Sequence, residues 1–304
     1  MKISVIIPVY NDPIGLRDTL ESLVDQDFPR DQYEIVVVDN GSTNNTQDVA
    51  KDYADKYPQL VGFFIEDKIQ SSYAARNKGI EKCRGGIIAF LDSDVRVEKN
   101  YLSQINEFFQ NNDIDYLGCR VELVVRTMTI TTLYNSINDF NIERDIYKNH
   151  YSPTCSLTIR RKVIDIIGLF DNRLESGGDW DLGQRVFKAG LKQAYADDIV
   201  VYHSARWRYS LLVDKSKRIA RGIAQMTHYY PLEYAYLYKR YFHFQRYLPS
   251  NPKKIYKSYN GKANIEISLI EALILSCFHI PMRLISLITL IAEKRKLKNN
   301  HLNK

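Results

Sequence analysis

The strongest constraint in this sequence is an alternation of short β-branched apolar runs with helical periods across its first hundred residues. Ile3–Val9 is apolar and β-branched through most of its length, as in a strand buried on both faces. Asn11-Asp12-Pro13 then predicts a turn, and Leu16, Leu20, Leu23 and Val24 recur at helical spacing. The pattern continues with a strand at Ile35–Val38, a helix over Gln47–Tyr57, a strand at Leu60–Ile65, a helix over Tyr73–Cys83 and a strand at Ile87–Leu91. Strands alternating with helices predict an α/β fold with a parallel, doubly wound sheet. Ligands of such sheets bind at the carboxyl ends of the strands. Asn11, Asp39, Asp92 and Asp94 stand at those ends.

Residues 98–205 are less regular. They predict a helix over Tyr101–Gln110, strand-like runs at Val121–Val125 and Ser156–Ile159, a helix over Trp180–Ala189 and a strand at Ile199–His203. Beyond residue 205 the composition changes. Residues 1–205 carry 23 Lys/Arg against 31 Asp/Glu, net −8, whereas residues 206–304 carry 19 against 5, net +14. Seven tyrosines fall within residues 229–247, and Leu248–Asn264, with two prolines and several lysines, reads as a linker. Ile265–Ala292 is apolar, but Glu271, His279, Pro281 and Arg283 interrupt it, leaving no uncharged run of the ~18 residues that a membrane span needs. The expected organisation is therefore two halves of one domain, 1–97 and 98–205, followed by a basic, aromatic, helical extension over 206–304. Such an extension fits docking on an anionic membrane surface. Packing on the first domain or on a second subunit is the other reading, which leaves an oligomer open. No nucleic-acid-binding motif accompanies the charge, so nucleic acid is not expected as a partner. Four widely spaced cysteines without a CxxC suggest neither a zinc site nor a disulfide framework. The apolar run at the N-terminus is too short for a signal peptide, so the active domain is expected in the cytoplasm, peripheral at the membrane face.

Four groups of residues carry chemistry. Phe90-Leu91-Asp92-Ser93-Asp94 places two carboxylates at the end of a buried strand, where they can share a divalent cation such as Mn2+ or Mg2+ that also bridges phosphate oxygens, or simply form a turn. Asp39, before Asn40-Gly41-Ser42, can accept hydrogen bonds from a nucleoside, or form an Asx turn. Gly177-Gly178-Asp179-Trp180-Asp181 opens a helix. Asp179 can take a proton from a hydroxyl there, or cap the helix while Asp181 favours its dipole. His203 ends a strand and can be a third metal ligand, a phosphate contact or a packed histidine.

In this order, Ser4–Asn11, Asp39–Thr46, Ala75-Arg76-Asn77-Lys78-Gly79, Phe90–Asp94 and Gly178–Arg185 resemble family 2 glycosyltransferases of the GT-A fold, over residues 3–205. The resemblance implies a Rossmann-like, mostly parallel sheet that binds a nucleotide-diphosphate sugar. It places Pro8 and Tyr10 in the nucleoside pocket with Asn11 beside them, Asp39 on the base or ribose, and Arg76 near the donor. Asp92 and Asp94 match the metal site, which Asp92 shares with the donor; His203 lies where some members place a ligand, and Asp179 matches the base. Glycine at 178, where the family usually has glutamate, leaves the base open between Asp179 and Asp181. Asn44 stands where aspartate is frequent. Arg206-Trp207 is similar to the Gln-x-x-Arg-Trp signature of processive synthases, with His203 at the glutamine position, which favours single transfers. The implied activity is inverting transfer to a hydroxyl of a glycan or lipid-linked acceptor, in cell-surface polysaccharide or glycoconjugate synthesis. A sugar-phosphate nucleotidyltransferase would show a glycine-rich loop after the first strand, where Tyr10-Asn11-Asp12 stands; a non-catalytic nucleotide-sugar-binding protein is the third reading.

Overall fold

The computed structural model describes residues 3–138, 140–260 and 266–302. The elements in chain order are β1 (Ile3–Val9), α1 (Pro13–Val24), β2 (Tyr33–Asp39), α2 (Thr46–Lys56), β3 (Val61–Ile65), α3 (Ser72–Lys82), β4 (Ile87–Phe90) and β5 (Val95–Val97). There follow α4 (Tyr101–Asn111), β6 (Tyr116–Val124), α5 (Ile130–Asn138), α6 (Ile142–Asn149), β7 (Leu157–Arg160), α7 (Arg161–Ile167), α8 (Gly178–Lys188) and β8 (Gln193–Ser204). The chain ends with α9 (Tyr209–Tyr229), α10 (Pro231–Lys239), α11 (Pro252–Asn260) and α12 (Leu269–Leu302). Two compact units emerge: Met1–Val124 with Phe140–Arg173 and Gly178–Ser204, and Val125–Asp139 with Leu174–Gly177 and Ala205–Lys304.

The first unit is an eight-stranded sheet in the order β3-β2-β1-β4-β7-β6-β8-β5. β1 and β2 are buried at every residue, as their unbroken apolar runs require. The expected parallel sheet holds from β3 through β4. Past β4 it is mixed: β7 is antiparallel to β4 and β6, β6 is parallel to β8, and β5 is antiparallel to β8. Pro8 sits in β1 without breaking the sheet. The Ile6 carbonyl accepts from Leu91 and the Val9 carbonyl from Asn40, so successive residues bond alternately toward β4 and β2. Pro8 therefore faces the β4 side, where the pairing has already ended opposite Ile6, and its missing N–H costs no ladder bond.

α1 begins with Asp12 accepting from the Gly15 N–H and with Pro13 in its first turn, and it buries Leu16, Leu20, Leu23 and Val24. α3 lies so close to β1 that a Cβ at Gly79 would stand 2.4 Å from Ile6 Cγ2. Two strands differ from their expected extents. β6 starts at Tyr116 rather than Val121, and β8 at Gln193 rather than Ile199. Cys119 faces Ala196 while Arg120 faces Val200, so a bulge carries the pairing past the polar Asp197-Asp198 that hides the strand in the sequence.

The second unit is helical. Leu133, Tyr259, Ile267, Ala272 and Leu275 form one buried cluster, and Ala220, Ala224, Tyr241 and Leu290 another. The expected linker over Leu248–Asn264 is corrected by α11, whose Ile255, Tyr256 and Tyr259 recur at helical spacing and pack into the first cluster, with the Tyr259 hydroxyl donating to the Leu133 carbonyl. The end of that expected linker, and Ile265 at the head of the apolar stretch, lie outside the described residues. Among the described residues, Leu269–Asn299 of α12 is the one segment long and apolar enough to cross a membrane, with a mean hydropathy of 1.8 in its best window. One third of that window is buried in the protein.

Candidate active site

The carboxyl ends of the strands of the first unit bring the site together. β4 ends at Phe90, and the chain turns through Asp92-Ser93-Asp94 into β5. Two residues missed in the sequence hold that turn: Asp12 Oδ2 accepts from the Ser93 hydroxyl at 3.0 Å, and the Thr19 hydroxyl donates to the Ser93 carbonyl at 2.7 Å. Asn11-Asp12-Pro13 is legible in the sequence as a turn, but Asp12 is not legible there as a clamp on Ser93, 81 residues away in the chain.

β5 also explains how His203 arrives. It pairs with β8 so that Val95, next to Asp94, lies opposite His203. The imidazole is buried, with Nε2 3.6 Å from Asp94 Oδ1 and Nδ1 3.0 Å from the Ser204 carbonyl. A carbonyl facing Nδ1 requires the proton there, which turns the lone pair of Nε2 toward the carboxylate. Ligand atoms of Asp92, Asp94 and His203 all lie within 4.8 Å of one another. Two carboxylate oxygens and one imidazole nitrogen at that spacing fit a divalent cation with positions left for phosphate oxygens.

Arg76 projects from α3 and is almost fully buried. Its Nη2 donates to Asp92 Oδ1 at 2.6 Å, and its Nε has no partner among the described residues. Asp39, fully buried at the end of β2, uses Oδ1 for the N–H groups of Gly41 and Ser42 (3.0 and 2.9 Å) and for Gln47 Nε2 (2.8 Å). Gly41 takes a φ of +80°, as this turn demands. Oδ2 of Asp39 is a buried acceptor with no partner among the described residues, the kind of group that a nucleoside N–H or O–H satisfies. Tyr10 is half exposed and follows Val9, the β1 partner of Asp39, and Pro8 is buried within β1. Asn11 is occupied otherwise: at a φ of 53° its side chain accepts from the Thr43 N–H at 2.8 Å and its own N–H donates to the Ser42 hydroxyl, tying the ends of β1 and β2 together.

The two acidic residues of α8 differ. Asp181 is buried and paired with Arg185 at 2.9 Å, and Arg185 also donates to the carbonyls of Ile167 and Leu169. Asp179 is partly exposed; its Oδ1 accepts from the Trp180 N–H at 2.9 Å and faces the Tyr73 hydroxyl at 3.5 Å. Beneath the carboxylates lies Cys155, whose thiol is pushed well above its usual range by burial, then by the charges of Asp92 and Asp94. Burial likewise raises the phenols of Tyr116 and Tyr151, and the charge of Asp179 adds to both.

Similarity to known proteins agrees with this geometry. The profile described as glycosyl transferase family 2 matches residues 4–167, and that of glycosyl transferase family group 2 matches residues 87–291. The glycosyltransferase AglE of Haloferax volcanii is 35% identical over 225 residues, covering 74% of this chain and 73% of that protein. Poly(ribitol-phosphate) beta-N-acetylglucosaminyltransferase TarS of Staphylococcus aureus is 33% identical over 117 residues, 38% of this chain and 20% of its own. The structure of TarS residues 1–349 with UDP-GlcNAc superposes with a TM-score of 0.55 at 20% identity, covering 100% of this chain and 92% of that one. A mannosyltransferase from Pyrobaculum calidifontis, in complex with GDP-Man and Mn2+, gives a TM-score of 0.63 at 16% identity, over 96% and 86% of the two chains. With a family profile over more than half of its length and a relative aligned over nearly three quarters, this chain belongs to glycosyl transferase family 2 and is a glycosyltransferase of the GT-A fold.

Proposed function

We propose that the enzyme moves a sugar from a nucleotide-diphosphate donor to an acceptor hydroxyl with inversion, using a divalent cation held by Asp92, Asp94 and His203. The observation that carries this reading is the meeting of those three ligands with Arg76 in the unit that also supplies Asp179. A cation bound there supplies positive charge to the departing diphosphate. The imidazole in the ligand set favours a transition-series ion such as Mn2+ over Mg2+, which prefers oxygen alone. Asp39 Oδ2 takes a hydrogen bond from the nucleoside, Tyr10 offers its ring to the base, and Arg76 orients Asp92 while adding charge on the donor side. Asp179 accepts the acceptor's proton as its oxygen bonds to the anomeric carbon; the bond to the diphosphate breaks, and its electron pair leaves with the nucleoside diphosphate. Asp181 stays with Arg185 and shapes the helix start.

In this reading residues 1–97 bind the donor, 98–205 the acceptor, and 206–304 lie on the cytoplasmic face of an anionic membrane. The net +14 of the extension and the exposed Leu269, Ile270, Leu273 and Ile274 of α12 support that placement. A glycan or lipid-linked acceptor of cell-surface glycoconjugate synthesis is consistent with the poly(ribitol-phosphate) substrate named for TarS. The test is a panel of nucleotide sugars in Mn2+, read by nucleoside diphosphate release and by the anomeric configuration of the first-formed product. Inversion is expected; a retained configuration would overturn the mechanism.

A further inference from the structure

We infer that Tyr73 is a positioning residue for Asp179, its phenol occupying the space that any side chain at position 178 would need. The inference rests on the reading of Asp179 as the base. A Cβ at Gly178 would stand 2.8 Å from Cε2 and Cζ of the Tyr73 ring and 2.9 Å from Cε1. Glycine at 178 is thus the complement of tyrosine at 73. Position 178 is also where the chain departs from the glutamate that the resemblance leads one to expect.

The ring is held from three sides. It is buried and stacks on Phe170 at 5.6 Å and 19°, while Phe170 meets Phe90 edge-on at 5.4 Å and 86°. The Asn77 side chain fixes the Phe170 backbone by donating to its carbonyl at 2.9 Å and accepting from its N–H at 3.0 Å. The Arg76 guanidinium carbon lies 5.7 Å from the Tyr73 ring centroid, one helical turn further along α3. The Trp180 N–H donates to Asp179 Oδ1 at 2.9 Å and the Tyr73 hydroxyl faces the same oxygen at 3.5 Å, so both donors lie on one edge of the carboxylate. One aromatic stack therefore runs from Phe90, two residues before Asp92, to Asp179, and sets the base in register with the donor end of the site.

The test uses the full-length protein, the best donor from the nucleotide-sugar panel and Mn2+. Tyr73→Phe keeps the ring and removes the donor. It is expected to lower kcat roughly tenfold at unchanged donor KM and unchanged melting temperature, since a slightly misplaced catalytic group costs rate rather than binding. Gly178→Glu alone should lose turnover and stability, and the pair Tyr73→Ala with Gly178→Glu should turn over faster than either single variant. An inactive Asp179→Asn beside a Tyr73→Phe of wild-type kcat would overturn the role of Tyr73 and leave the base in place. A fully active Asp179→Asn would overturn the base reading itself. A double variant no faster than its singles would contradict the shared space.

Discussion

At the residue scale, the account depends on which polar groups the fold has already committed. Asp181 is committed to Arg185, whereas the Asp179 carboxylate is partly exposed, accepts from the Trp180 N–H and faces the Tyr73 hydroxyl. Asp179→Asn is therefore expected to cut turnover by roughly 10²–10⁴-fold while donor binding persists, the usual share of a general base. Asp181→Asn is expected to cost about 2 kcal/mol of stability, read by chemical denaturation, with most turnover retained, because it removes the carboxylate charge from a partly buried guanidinium that keeps only carbonyl acceptors. The reverse pattern would move the base to Asp181. Asp39, Asp92 and Asp94 were legible in the sequence because they stand at the carboxyl ends of buried strands, where such sheets bind ligands, although each could also serve a turn, as Asp39 Oδ1 does. Tyr73, Asp12 and Thr19 were not, because each acts on a residue that only the folded chain brings near. Gly178 announced a departure in the sequence, but nothing there named the ring that fills it.

At the element scale, helix α3 carries Tyr73, Arg76 and Asn77 together, and its distance from β1 is set by Gly79. Gly79→Val would push a side chain into Ile6. A loss of about 1–3 kcal/mol is expected from overpacking, seen as a lower melting temperature. β2 contributes a second check. Burial alone would raise the Glu34 carboxyl, but hydrogen bonds from the Ser4 hydroxyl (2.7 Å) and from the backbone and side chain of Arg84 hold it below its ordinary value of 4.5. A carboxyl with a depressed folded pKa stabilises the fold above its unfolded value and loses that contribution as pH falls through the folded one. Acid unfolding below about pH 4.5 is thus expected to steepen through Glu34 and to flatten in Glu34→Gln, measured by denaturation across pH. The strands and helices of residues 3–97 were readable from periodicity alone, except the short β5. β6 and β8 were readable only in their second halves, at Val121–Val125 and Ile199–His203, and α11 not at all. A bulge hides the first pair, and prolines with lysines disguise the helical spacing of Ile255, Tyr256 and Tyr259.

At the scale of the whole molecule, the proposal assigns chemistry to the acidic first two thirds and membrane docking to the basic last third. The full-length protein is expected to sediment with vesicles containing anionic lipid at low salt and to be partly released at high salt. Replacing Leu273 and Ile274, both well exposed on α12, by aspartate should reduce the salt-resistant fraction without changing donor binding. Indifference of the wild type to such vesicles would leave α12 with a structural role. The central claim is the cation site of Asp92, Asp94 and His203, and calorimetric titration of UDP and GDP in Mn2+ and then in excess chelator tests it most directly. At least one nucleotide should bind only with the cation present, and Asp94→Ala should abolish that dependence; equal affinity in the chelator would contradict the claim.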